Sequence, residues 1–140
     1  GSDLVTAALE RRAGVAAGLV EPVLEQPGTS GVRIVTALGT ALVGTALARA
    51  ELDRGVPPAR LADTVFRHIL AARPFGLGDW KAEAARWAAW AERWTAAELR
   101  HALHRALDAD RALKTSTVTA DRGIVEQLVL ELALAAQVAA

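Results

Sequence analysis

The sequence predicts an all-α domain, a single compact bundle of about five to seven helices, and three observations carry that prediction. Ala occupies 32 of the 140 positions while aromatic residues make up only 4%, a composition that suits closely packed helices. Strand formers are scarce, with no Tyr, two Phe and three Ile. Apolar residues recur at helical spacing from end to end, interrupted by Gly and Pro at intervals that suit the short connections of a bundle. The length fits one domain with a core of its own.

Each helix has its own signals. Ser2 is an N-cap for a first short helix from Asp3 to about Arg12. A second, from about Ala13 to Glu25, contains Pro22, which must bend or split it, and Gln26-Pro27-Gly28 ends it. Ser30 caps a long third helix, Val32 to Arg54, stopped by Gly55 and Pro57-Pro58. Its apolar residues lie all round the wheel, which marks a central helix. A fourth follows from first-turn Pro58 to about Ala72, with Leu61, Val65, Phe66, Ile69 and Leu70 on its buried side. After the break Arg73-Pro74-Phe75-Gly76-Leu77-Gly78, a fifth helix runs from Asp79 to Arg93. Thr95 and Glu98 then form the capping box of a sixth, Ala96 to Lys114. A polar Thr/Ser connection over 115–119 precedes a last apolar helix through about Val138.

Composition excludes several function classes. With no Cys there is no thiolate nucleophile, zinc finger, iron–sulfur cluster or disulfide scaffold. Sixteen Lys and Arg against sixteen Asp and Glu leave a formal net charge of zero. No bulk field therefore draws the chain to nucleic acid or to an anionic membrane. The longest uncharged stretch, Ile34 to Ala48, is 15 residues with three Thr, short of the roughly 18 residues a membrane span needs. It reads as a buried helix of a soluble, cytoplasmic domain. Gly1-Ser2 at the head of a chain without Met reads as the scar of an excision, with residues 3–140 as one domain of a longer protein.

Trp80, Trp87, Trp90 and Trp94 are the most unusual local feature. At 100° per residue they fall at about 0°, −20°, −80° and −40°, one face of the fifth helix. Each indole can bury about 150–250 Å², or roughly 4–6 kcal/mol of gross transfer free energy. The stripe reads first as the core side of that helix and second as a partner interface, where Trp is enriched.

Glu98 and His101 have the Glu-x-x-His spacing of a di-iron ligand pair, but a second copy is missing, and His101 with His104 lacks a third ligand. No metal and no cofactor is expected. His68 reads as a satisfied, semi-buried residue near the apolar side of the fourth helix. Gly76-Leu77-Gly78 has neither the preceding strand nor the Gly-Lys-Ser/Thr of a phosphate loop. Ser2, Ser30 and Ser116 read as caps or loop residues, so no catalytic residue is assigned and the domain is expected not to be an enzyme. Asp110 falls on the apolar stripe of the sixth helix at about 20° from Leu99 and needs a donor. Lys114, four residues on, is the local candidate. Arg100, His104 and Arg111 share one side of that helix.

The run from Leu99 through Asp110-Arg-Ala-Leu-Lys114, then a Thr/Ser-rich turn, then an apolar helix with Glu126, Leu128, Leu130 and Leu132, resembles the C-terminal collar domain of the bacterial DNA polymerase III delta subunit. The helices before Arg54 resemble that family's earlier collar helices more loosely. The specific motif spans about 35 residues and is built from common residue types. The long uncharged helix and the four Trp have no counterpart in the family pattern. The resemblance implies a non-catalytic domain that joins collars of related subunits into a ring and so holds the sliding-clamp loader together for DNA replication. It implies other clamp-loader subunits as partners, DNA contact only through the complex, and no membrane. Asp110, Leu113 and Lys114 are then motif residues that clip the helices together. Arg100, Arg105 and Arg111 become candidate interface residues. Collars of gamma/tau and delta-prime subunits end in similar helices and stay open as alternatives. An all-helical ligand-binding or dimerising regulator domain does too.

Overall fold

The apolar periods, caps and breakers resolve into seven helices in the computed structural model, which describes residues 2–115 and 118–139. They are α1 (Ser2–Leu9), α2 (Ala13–Leu24), α3 (Gly31–Asp53), α4 (Pro58–Ala72), α5 (Trp80–Ala91), α6 (Ala96–Thr115) and α7 (Val118–Ala139). No strand occurs among the described residues. Caps explain most of the boundaries. Ser30 Oγ accepts from the Arg33 amide at 3.2 Å, and Asp79 Oδ1 accepts from the Ala82 amide at 3.1 Å. Pro58 opens α4, and Arg73 closes it in a left-handed conformation, φ 49°.

Several ends differ from expectation. Ser2 is the first residue of α1 rather than its cap, and α1 stops at Leu9. Pro22 neither splits nor ends α2: it sits in the last turn, and the helix continues past it to Leu24. α5 ends at Ala91, so Trp94 lies in the α5–α6 connection and only three indoles belong to the helix face. The polar connection is shorter than 115–119, because α6 continues through Thr115 and α7 starts at Val118. Ser116 and Thr117 lie outside the described residues.

α3 is the axis of the bundle and packs along α1, α4, α5, α6 and α7. α4 pairs with α5, α6 with α7, and α2 with α7 and α1. The deepest side chains, Leu4, Leu9, Leu38, Leu42, Leu61, Trp94, Leu99 and Leu132, come from five helices and one connection. Close approach sets the α3–α5 contact. A Cβ on Gly44 would fall 2.1 Å from the Trp87 indole, so the ring lies flush on bare helix backbone. Leu70, expected on the buried side of α4, is 46% exposed. The stripe of that helix is narrower and is carried by Leu61, Val65 and Ile69.

The structure also corrects the reading of α3. It is a 23-residue helix with a mean hydropathy of 1.5 over its most apolar window, long and apolar enough to cross a membrane by length and composition. Half of that window is buried inside the bundle, as in a core helix. The remainder is partly buried or exposed, with Val32 39% and Val43 58% exposed. The central helix thus keeps one uncharged face open.

Candidate interaction surface

Arg11 fixes the corner from which α6 departs. It follows α1 in a left-handed conformation, φ 63°, that costs a non-glycine residue energy. That geometry lays its guanidinium over the Trp94 ring, 3.8 Å from the centroid, while Nη1 donates to Glu98 Oε2 at 3.0 Å. Nε and Nη2 are buried and meet no hydrogen-bond acceptor among the described residues. Trp94 Nε1 donates to the Leu9 carbonyl at 2.8 Å. Glu98 completes the expected capping box: its amide donates to Thr95 Oγ1 at 3.1 Å and its Oε1 accepts from the Thr95 amide at 2.8 Å. Burial pushes the Glu98 carboxyl up, but the Thr95 amide and Arg11 outweigh it and hold the group below its ordinary value of 4.5. The α1–α2 corner is thereby bolted to the α5–α6 corner. Arg11 carried no signal in the sequence, since nothing local marks an arginine that bends back over a tryptophan 83 positions later.

α6 leaves this corner with two unlike sides. Leu99, Ala102, Ala106, Ala109 and Leu113 are buried. Leu113 lies beside Gly31 at the start of α3, so α6 runs antiparallel to α3. Of the candidate interface residues, Arg100 and Arg111 are exposed and form no ion pair among the described residues. Arg105 instead reaches Glu131 of α7 at 3.7 Å and belongs to the bundle's own surface. Asp110 pairs with Lys114 at 2.8 Å, the local partner the spacing offered. Its side chain is 25% exposed and Lys114 is 65% exposed, so the pair sits at the edge of the apolar stripe rather than inside it. The clip between helices is therefore Leu113 against Gly31, with the ion pair local to α6.

The tryptophans divide in the same way. Trp87, Trp90 and Trp94 are buried and Trp80 is half-buried. Trp90 Nε1 donates to Glu10 Oε2 at 3.4 Å, a second tie to the α1–α2 corner, while Trp87 Nε1 meets no partner among the described residues.

His68 departs from expectation. It is exposed, and its Nε2 lies 3.3 Å from Oε1 of Glu51, a carboxylate buried on α3. Arg54 also donates to Glu51. Hydrogen bonding from Arg54, with His68 adding to it, holds the Glu51 carboxyl below 4.5 against desolvation. The spacing to Arg54, three residues on, offered Glu51 a local partner, but its burial on α3 and its contact with His68, 17 positions away, had no local signal. His101 and His104 are exposed on α6, and Glu98 is turned to Arg11 rather than to His101. No three His, Asp or Glu among the described residues are grouped to hold a metal ion. Phe75, in the α4–α5 connection, stands fully exposed. What the surface offers is helix faces, a few free cations and apolar side chains, the materials of protein contact.

Comparison with models of known protein families, with curated proteins and with solved structures finds no match.

Proposed function

We propose that this chain is a non-catalytic assembly module, the C-terminal collar of a DNA polymerase III delta subunit, acting by holding its partner subunits in the sliding-clamp loader. The observation that carries the reading is the outward face of α6. Arg100 and Arg111 stand exposed and without an ion pair among the described residues, on either side of Leu107, which is 46% exposed. Exposed cations beside an exposed apolar residue form the rim and centre of a protein interface. Three further features support it. Every regular element among the described residues is a helix. The Asp110 to Lys114 element is followed by a closing helix packed on α6. The buried Glu51 and the partly buried Arg11–Glu98 pair serve the bundle's own corners.

The test is capture of loader subunits from the source cell by the immobilised chain at low salt. Gamma/tau or delta-prime subunits should be retained, and Arg100→Glu with Arg111→Glu should weaken their retention while leaving the helical signal and unfolding midpoint of the chain unchanged. Retention of DNA or of a small hydrophobic molecule, with no loader subunit retained, would overturn the reading.

A further inference from the structure

We infer that the open face between α3 and α6 is a docking groove for one helix of a different protein, an amphipathic helix bearing acidic residues three turns apart beside its apolar ridge. The inference rests on the assembly reading above and names the chemistry of the partner.

The groove follows from the placement of the two helices. On α3, Val32, Gly39 and Val43 fall within an arc of about 40°. Gly44, under Trp87 of α5, lies about 120° to one side of Val32, and Gly31, beside Leu113 of α6, about 100° to the other. The open arc therefore lies between α5 and α6. On α6, Leu107 is about 160° from Arg105, which reaches α7, so Leu107 and the neighbouring Leu103 flank the same opening. Val43 at 58%, Leu107 at 46% and Val32 at 39% are three of the eight large apolar residues left exposed among the described residues. From Ile34 to Ala48 no charged residue interrupts α3. The exposed Thr36 and Thr40 share the open arc, so the face is uncharged and mixes apolar side chains with hydroxyls. A surface helix ordinarily carries charge on its outer face, and exposed apolar residues within a polar border mark an interaction site.

Charge selects the occupant. Arg111 and Arg100 border the groove from α6, and because α6 is antiparallel to α3 they stand near Val32 and Val43 respectively. Both pairs are separated by three helical turns, about 16.5 Å along the axis. A helix laid in the groove can thus place apolar residues over Val32 and Val43 while two carboxylates three turns apart meet the two guanidinium groups. Gly39, where a Cβ would meet nothing within 4 Å, gives the helix room to approach. A second copy in a two-fold arrangement would bring the same arginine border toward itself, which like-charge repulsion opposes.

The experiment uses two synthetic amphipathic helices that share one Leu ridge, the first with Glu at i and i+11 beside it and the second with Lys there. At low salt the Glu peptide should bind about tenfold more tightly than the Lys peptide and shift the methyl resonances of Val43 and Leu107. Val43→Glu and Gly39→Gln, both at open positions on α3, should each weaken that binding about tenfold with no loss of helicity. Equal binding of the two peptides, shifts confined to another face, or self-association that protects Val43 in the absence of peptide would overturn the inference. Loader subunits retained equally by Val43→Glu and the parent chain would sink the groove and leave the collar reading standing. Glu-peptide binding in the groove with no loader subunit retained would do the reverse.

Discussion

Trp87 lies on Gly44 so closely that any side chain at position 44 would enter the indole, the nearest ring atom being 2.1 Å from where a Cβ would stand. Bare backbone at one helical position lets α3 and α5 meet across a large aromatic, and Trp87 is only 6% exposed as a result.

Gly44→Ala should therefore destabilise the chain by about 3 kcal/mol, the upper end of overpacking costs, despite the better helix propensity of Ala. Gly39→Ala, on the open face of the same helix, should stabilise it by about 0.5–1 kcal/mol. Urea unfolding of the two variants checks both signs, and equal midpoints would contradict the close approach.

Trp87→Ala should cost about 3–5 kcal/mol in urea melts, as truncating a buried aromatic does. A melt that coincides with that of the parent, together with weaker partner binding, would make Trp87 an interface residue instead.

Arg11 combines an unfavourable backbone conformation with two favourable contacts, and substitution separates them. Arg11→Ala loses the Glu98 ion pair and the Trp94 stack but keeps the left-handed φ. Arg11→Gly loses the same contacts and relieves the backbone, so it should be the more stable of the two by about 1 kcal/mol. Parallel urea titrations measure the difference, and an alanine variant as stable as the glycine variant would show that the φ of 63° carries no cost.

The helices were legible because their signals are local. Ser30, Pro58 and the Thr95–Glu98 box each act within three or four residues, and the structure places a helix start at each. Asp79, expected as the first residue of the fifth helix, is instead its cap. The Asp110–Lys114 pair was legible for the same reason. What stayed hidden is long-range. The Arg11–Glu98 bridge joins residues 87 positions apart, and the seat of Trp87 on Gly44 depends on how two helices cross. Periodicity shows that α3 is apolar on every side but does not say which sides other helices cover. The open face around Val43 is consequently a property of the packing, while Arg100 and Arg111 were legible only as a shared helix side, and the contact with Glu131 that removes Arg105 from the candidates was not legible.

Acid should weaken the bundle through its two depressed carboxylates. Glu51 and Glu98 have folded-state pKa values below the 4.5 of the unfolded chain. The stability they contribute is complete above that value and is lost as pH falls through the folded values, because the unfolded state then binds more protons. Urea midpoints measured downward from neutral pH should hold steady to about pH 5 and then decline. Glu98→Gln and Glu51→Gln should each flatten part of the decline. Unchanged slopes in both variants would assign the acid response to other groups.

The solvent-exposed ion pairs beyond the first turn of α6 should matter little to stability. Asp110 and Lys114 are four residues apart at 2.8 Å, with Lys114 65% exposed. A solvated i,i+4 pair contributes about 0.3–0.5 kcal/mol, so Lys114→Ala should cost no more than that. Arg105→Ala, which loses a 3.7 Å contact between two solvent-accessible side chains, should be similarly mild. Arg100→Glu and Arg111→Glu, with no ion pair to lose, should stay within about 0.5 kcal/mol of the parent. Leu113→Ala on the same helix should cost about 2–5 kcal/mol, because its side chain is buried at the start of α3. Thermal unfolding of the five variants separates the two roles. If Lys114→Ala fell as far as Leu113→Ala, Asp110 would be a buried charge dependent on its partner, and the motif would serve the fold through electrostatics rather than through the apolar contact.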